Sequence, residues 1–345
     1  MLKILKKIFK GLLYTLLGLV AIFLILYMST SGQWHVAETV EQDATISHIT
    51  LDDVVFHAET FGSDTARTII VIHGGPGQDY RYLLPLKDLS DEYKVVFYDQ
   101  RGTGLSPRVD ASQLTLQSSI EDLDRIVNYY CPDEKVNILG HSWGAMLGSA
   151  YLAKHPDRVH RIILAEPGFL TTEMSEKFMK LTNGFKIDLS FNNIILIGEI
   201  VMRALHIRGP DDQAIQDYIF TNLVMSPVEN HPMGGYFCDN KFDSAQMKFW
   251  RLSLASSLAI QQSGTDADGK MEIDLVSGVE QFQDTVLFIA GDCNKYIGPD
   301  YQREHLKYFP RHKMEVIENA GHNMFLDQPE EFLRIVRDYF MEKEL

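Results

Sequence analysis

The chain has 345 residues, 45% of them hydrophobic and 23% charged, which are the proportions of a globular enzyme and exclude a disordered or fibrous chain. Setting aside the four lysines of residues 1–28 leaves 28 basic against 47 acidic residues, a formal −19, which argues against nucleic acid as a partner and against further polybasic attachment to anionic lipid. Three cysteines, Cys131, Cys238 and Cys293, are too few and too scattered for a disulfide framework, and no pair has metal-ligand spacing. The odd count leaves at least one free thiol or an intermolecular bond, with Cys293 the one to test.

In chain order, the first predicted element is a membrane span. Lys3, Lys6, Lys7 and Lys10 precede Gly11 to Met28, an uncharged apolar run that as a helix would cover about 27 Å, enough to cross a bilayer core. The run has no polar face and no A-x-A-like cleavage site after it. Residues 1–30 are therefore expected to be a cytoplasmic basic tip and an uncleaved single-pass anchor, with the catalytic domain outside the cytoplasm.

Beyond the anchor, strand and helix signals alternate, as a mostly parallel sheet with helices on both faces requires. Thr68 to Ile72 reads as a strand and leads into His73-Gly74-Gly75-Pro76-Gly77. Lys94 to Tyr98 reads as another and leads into Asp99-Gln100-Arg101-Gly102-Thr103-Gly104-Leu105-Ser106. Ser118 to Glu121 has a capping-box pattern, and the apolar stripe Ile120, Leu123, Ile126, Val127 and Tyr130 predicts a helix ending at Cys131-Pro132. Val136 to Leu139 predicts a buried strand, then comes Gly140-His141-Ser142-Trp143-Gly144, then a helix-compatible stretch from Ala145 to Ala153. Arg161 to Ala165 predicts a strand followed by Glu166. From Phe169 to Ser277 the alternation stops, and the helical patches 175–181, 193–205, 211–224 and 245–260 predict a lid. Thr285 to Ala290 and Met314 to Ile317 predict the last two strands, ending in Gly291-Asp292-Cys293-Asn294 and Asn319-Ala320-Gly321-His322-Asn323.

The chemistry is placed at Gly140 to Gly144. A G-x-S-x-G turn at the end of a buried strand lifts a serine hydroxyl out of the sheet and sets the next backbone N–H beside it. Ser142 is the expected nucleophile and His322 the base that takes its proton. The N–H of Trp143, with that of Gly74 or Gly75, is expected to hold the oxyanion. Asp292 completes the order serine, acid, histidine.

These three motifs, at 73–77, 99–106 and 140–144, resemble the proline iminopeptidase branch of the α/β-hydrolase superfamily, over the chain from about Asp53 to its end. The resemblance implies an α/β-hydrolase core at 45–168 and 278–345 with a helical lid at 169–277. It also implies that the segment 99–106 supports the site, with Asp99 and Arg101 as a scaffold pair. In that family the acid stands three residues after the glycine ending its strand. Here that position is Asn294, which leaves Asp292, Glu166 and Asn294 itself as groups that could orient His322, with Asp292 the expected one.

The resemblance further implies cleavage of the amide after an N-terminal residue through an acyl-enzyme. Glu166, Glu173, Glu229 and Asp239 are the carboxylates near the lid that could receive the substrate's free amine, Glu166 foremost. An esterase or lactonase on the same machinery is the alternative, since fold and triad do not choose the acyl group. A ligand-binding homologue without turnover is a third reading, prompted by the irregular acid position. No cofactor and no metal are expected, the substrate being a small peptide, ester or amide.

Overall fold

The computed structural model describes residues 2–186, 188–228, 230–244, 247–266 and 271–341. One eight-stranded sheet organises them: β1 (His48–Leu51), β2 (Val54–Phe61), β3 (Thr68–Ile72), β4 (Lys94–Tyr98), β5 (Val136–His141), β6 (Val159–Ala165), β7 (Val286–Gly291) and β8 (His312–Ile317). Their order across the sheet is β1-β2-β4-β3-β5-β6-β7-β8. The pairs β1/β2 and β2/β4 are antiparallel and every later pair is parallel. The two antiparallel strands lie outside the elements expected from the sequence. The five central runs are apolar on both faces, as strands covered by helices on each side must be.

Strand alternation decides which helix covers which face. Ile70, Ile72, Ile138, Ile162 and Leu164 point into a core shared with α2 (Leu116–Tyr130) and α3 (Trp143–Lys154). Their neighbours Ile69, Val71, Leu139, Ile163 and Leu287 point the other way, onto the Tyr80–Asp91 turns and the C-terminal helix Pro329–Phe340. Helix α2 begins slightly before the predicted capping box, because Thr115 caps it and Ser118 closes the box.

Between β6 and β7 lie α4 (Thr172–Leu181), α5 (Phe191–Ala204), α6 (Ala214–Val224) and α7 (Leu254–Ser263). The helix predicted from residue 245 starts only at Leu254. The segment before it turns its backbone inward, where the N–H groups of Trp250 and Arg251 donate to the buried carboxylate of Asp79 at 2.7 and 2.9 Å. The Arg251 guanidinium, itself buried, pairs with Asp211 and Asp217, and Arg108 shares Asp217. A charge network therefore fastens the insert to the sheet's edge loops. Breaking one partner of such a buried pair costs about 3–5 kcal/mol. A disulfide, Cys238–Cys293, makes a second tie, and Cys131 is free and buried.

The first helix, α1 (Leu2–Ser29), contains one stretch, Lys3–Ser29, that is long and apolar enough to cross a membrane, its most apolar 18 residues having a mean hydropathy of 2.3 and none of them being buried.

Candidate active site

Strand β5 delivers Ser142 at φ 57° and ψ −120°, in the left-handed region that a side chain occupies only when its surroundings hold it there. Two contacts do so. The Ser142 N–H donates to the Ala165 carbonyl at 2.9 Å, tying the turn to the end of β6. On the other side the turn presses so close to β3 that a Cβ on Gly144 would sit 2.1 Å from the Ile72 carbonyl oxygen. Helix α3 starts at the next residue, so the Trp143 N–H belongs to the first turn and has no acceptor inside the helix.

His322 arrives on the loop after β8. Its backbone N–H donates to the Tyr236 carbonyl at 2.8 Å, and the Tyr236 ring stacks on the imidazole at 4.6 Å between centroids. The loop crosses β7 at Gly291, where a Cβ would lie 2.4 Å from the Ala320 and Gly321 carbonyl oxygens. The carboxylate against the imidazole is that of Glu166, with Oε2 2.6 Å from His322 Nδ1. This corrects the expectation of Asp292. That side chain is exposed and accepts from the Ala320 N–H, bracing the loop backbone instead of the ring.

Glu166 follows β6 at φ 46°, fully buried, and also accepts from the Gly291 N–H at 2.9 Å and Asn294 Nδ2 at 2.7 Å. Asn294, at the position where the family resemblance places an acid, is thus a neutral donor to the acid that is present. Burial pushes the Glu166 carboxyl upward, opposed by the Gly291 and Asn294 donors. Burial also lowers the His322 imidazole to about 3, so the ring is neutral near pH 7 and able to accept a proton.

The oxyanion side divides the two candidate glycines. The Gly74 N–H is already committed to Tyr82 Oη at 2.8 Å, so the structure removes it as a free donor, whereas Gly75 borders the cavity at Ser142. Tyr82 Oη in turn donates to His141 Nδ1 at 2.8 Å. The other nitrogen, Nε2, lies 2.9 Å from the His322 carbonyl oxygen and must carry the proton. A directed chain of hydrogen bonds therefore joins the 73–77 loop to the loop bearing His322. Gln100 adds another brace, since its amide donates to the His73 carbonyl and accepts from Trp143 Nε1. The segment 99–106 does support the site, but not as an Asp99–Arg101 pair. Asp99 bonds His57 and Arg101 bonds Asp122. Tyr82 and His141 carry no signal of their own in the sequence beyond His141 standing inside the G-x-S-x-G turn.

Two cavities meet over Ser142, of about 360 and about 220 Å³, sharing Gly75, Ser142, Phe185, Tyr236 and Gln261 as walls. The larger reaches His322 and the insert residues Ile197, Phe220 and Met233. The smaller runs past Trp143, Met146 and Phe178. Among the described residues neither wall contains an Asp, Glu, Lys or Arg. Of the carboxylates expected to receive an amine, Glu166 is occupied by His322, Glu173 faces Lys307 at 3.5 Å, and Asp239 borders neither cavity. Glu229 lies outside the described residues.

A family model described as alpha/beta hydrolase fold matches residues 67–206. The chain is 26% identical over 274 residues to the proline iminopeptidase of Heyndrickxia coagulans, covering 79% of this chain and 89% of that protein. It is 20% identical over 285 residues to the cis-3-alkyl-4-alkyloxetan-2-one decarboxylase of Shewanella oneidensis, covering 80% and 82%. The solved esterase EaEST from Exiguobacterium antarcticum superposes with a TM-score of 0.57 at 19% identity, over 85% of this chain and 98% of that one. The chain has the α/β-hydrolase fold.

Proposed function

We propose that this member of the α/β-hydrolase superfamily is a membrane-anchored serine hydrolase that cleaves small, uncharged acyl substrates, esters before amides. The observation that carries the reading is Ser142, held at a strained elbow and sharing one cavity with His322, whose other face is bonded to buried Glu166. Ser142 Oγ attacks the carbonyl and passes its proton to His322 Nε2. Glu166 fixes the ring with Nδ1 protonated and stabilises the imidazolium as it forms. The N–H groups of Trp143 and Gly75 receive the oxyanion. The alcohol or amine leaves with the proton from His322, and water then releases the acid by the same steps in reverse order. The helices between β6 and β7 act as a lid that keeps bulk water from the acyl-enzyme. Helix α1 is read as an uncleaved span with its lysines on the cytoplasmic side.

The preference for esters rests on cavity walls that, among the described residues, carry no carboxylate, because an aminopeptidase must pair the substrate's ammonium with one. A second reading, aminopeptidase, is favoured by the Heyndrickxia coagulans relative and by Glu229, which follows the wall residue Val228 in sequence. Short p-nitrophenyl esters should be cleaved rapidly, and proline or alanine arylamides should react no faster with a free amine than when N-acetylated. A charged hydrogen bond is worth about 1.5–3 kcal/mol. A preference of about tenfold or more in kcat/KM for the free amine, lost in Glu229→Gln, would therefore establish the aminopeptidase instead.

A further inference from the structure

Helix α5 buries one face and leaves the other bare. Ile200 and Ala204 pack with Ile207, Tyr218, Trp34 and Val36. On the opposite side Phe191, Ile194, Ile195, Gly198, Val201 and Leu205 recur at helical spacing in one exposed stripe without a charged residue. Phe191, Ile194 and Ile195 are 76%, 53% and 54% exposed. A contiguous apolar face of this kind marks a surface that meets something other than water.

The position of α5 says what it meets. Just past its C-terminal end, His206 stacks on Tyr27 at 4.1 Å, and its Nε2 lies 3.0 Å from the Tyr27 carbonyl and 3.3 Å from Thr30 Oγ1, where the apolar span of α1 ends. The Arg203 guanidinium lies over Trp34 at 4.5 Å, on the strand of chain that leaves the span. The bare stripe thus ends beside the C-terminal end of α1, the helix read as a span. Ile197, on the same helix, is part of the wall of the larger cavity and neighbours Ile194 and Val201 of the stripe at three- and four-residue spacing.

We propose that α5 lies on the bilayer that α1 spans, with its stripe from Phe191 to Leu205 in the headgroup and acyl boundary. The cavity over Ser142 then takes its acyl substrates from that lipid surface. The inference rests on the reading of α1 as a span. Hydrophobic stripes on helices of this length partition into the interface in this way without crossing it.

The test uses the full chain reconstituted in phosphatidylcholine vesicles, with or without bromine on the acyl chains. Phe191→Trp and Ile195→Trp should each add fluorescence over that of the three native tryptophans, and the addition should be lost in brominated vesicles. Tyr129→Trp, exposed on α2, should keep its fluorescence in both. The variant carrying Ile194→Ser, Ile195→Ser and Val201→Ser should hydrolyse a water-soluble ester at the parent rate, but a long-chain ester dissolved in the vesicle roughly tenfold more slowly. If the fluorescence added by Phe191→Trp and by Ile195→Trp survives in brominated vesicles while the chain stays with them through a high-salt wash, the proposal is overturned and the anchor stands. Release of the chain by salt would overturn the anchor and the proposal with it. Cross-linking of α5 to a second copy that shields it from bromine would assign the stripe to a dimer and overturn the lipid contact.

Discussion

Glu166→Gln should lower kcat by about 10⁴, the loss seen when an orienting carboxylate in such a triad becomes an amide. The structure gives a specific reason. Glu166 is surrounded by three donors: the Gly291 N–H on one oxygen, and Asn294 Nδ2 and His322 Nδ1 on the other. A glutamine has an NH₂ group in place of one of those oxygens, and whichever way it is turned that group points at a donor. The ring then loses its fixed tautomer and the imidazolium its counter-charge. Asp292→Asn should stay close to the parent kcat, since exposed substitutions change little. Steady-state kinetics on a p-nitrophenyl ester decides between them, and a severe loss in Asp292→Asn with a mild one in Glu166→Gln would reverse the assignment. The pH profile supplies a second readout. His322 acts only when neutral, and burial holds its folded-state pKa below the ordinary 6.5, so activity should persist below pH 6.5 and fall as acidification protonates the ring.

Ser142→Ala should cost on the order of 10⁶ in kcat, because removing the nucleophile idles the base and the acid together. A fluorophosphonate should label the parent at Ser142, and both Ser142→Ala and His322→Ala should abolish that labelling. Full-strength labelling of Ser142→Ala would mean that another residue attacks.

The turn that carries Ser142 and the loop that carries His322 were legible in the sequence because each is a local pattern: a strand that stops at Gly140, a serine between two glycines, and a histidine after the final strand. The central strands were legible for the same reason, with Thr68 to Ile72 and Lys94 to Tyr98 falling on β3 and β4 as expected. Which carboxylate meets His322 was not legible: Glu166 stood among the candidates, but behind Asp292. Glu166 and His322 are 156 positions apart, and what brings them together is sheet order, with β6 beside β7 and β7 beside β8. The nearer carboxylate in sequence, Asp292, is exposed and accepts from the Ala320 N–H of the His322 loop instead. Nothing local distinguishes a carboxylate that is buried from one a few residues past a strand that is not. The disulfide was hidden likewise, as 55 residues separate Cys238 from Cys293. So was the commitment of the Gly74 N–H, which depends on Tyr82 reaching back over the loop.

The Cys238–Cys293 bridge also bears on how the protein can be made. It joins the insert to the residue just before Asn294, the amide donor to Glu166. A cross-link closing a loop of this length restricts the unfolded chain by about 4 kcal/mol in the chain-entropy treatment. Glutathione and thioredoxin keep thiols reduced in most cytosols. Recombinant material accumulated there would carry two thiols, a lower melting temperature and a looser brace beside the acid, whereas material exported to an oxidising compartment would not. Treatment of exported enzyme with dithiothreitol should reproduce the cytosolic preparation, and Cys238→Ser should make the two sources indistinguishable. An unchanged melting temperature after complete reduction would show that the bridge contributes nothing to the fold.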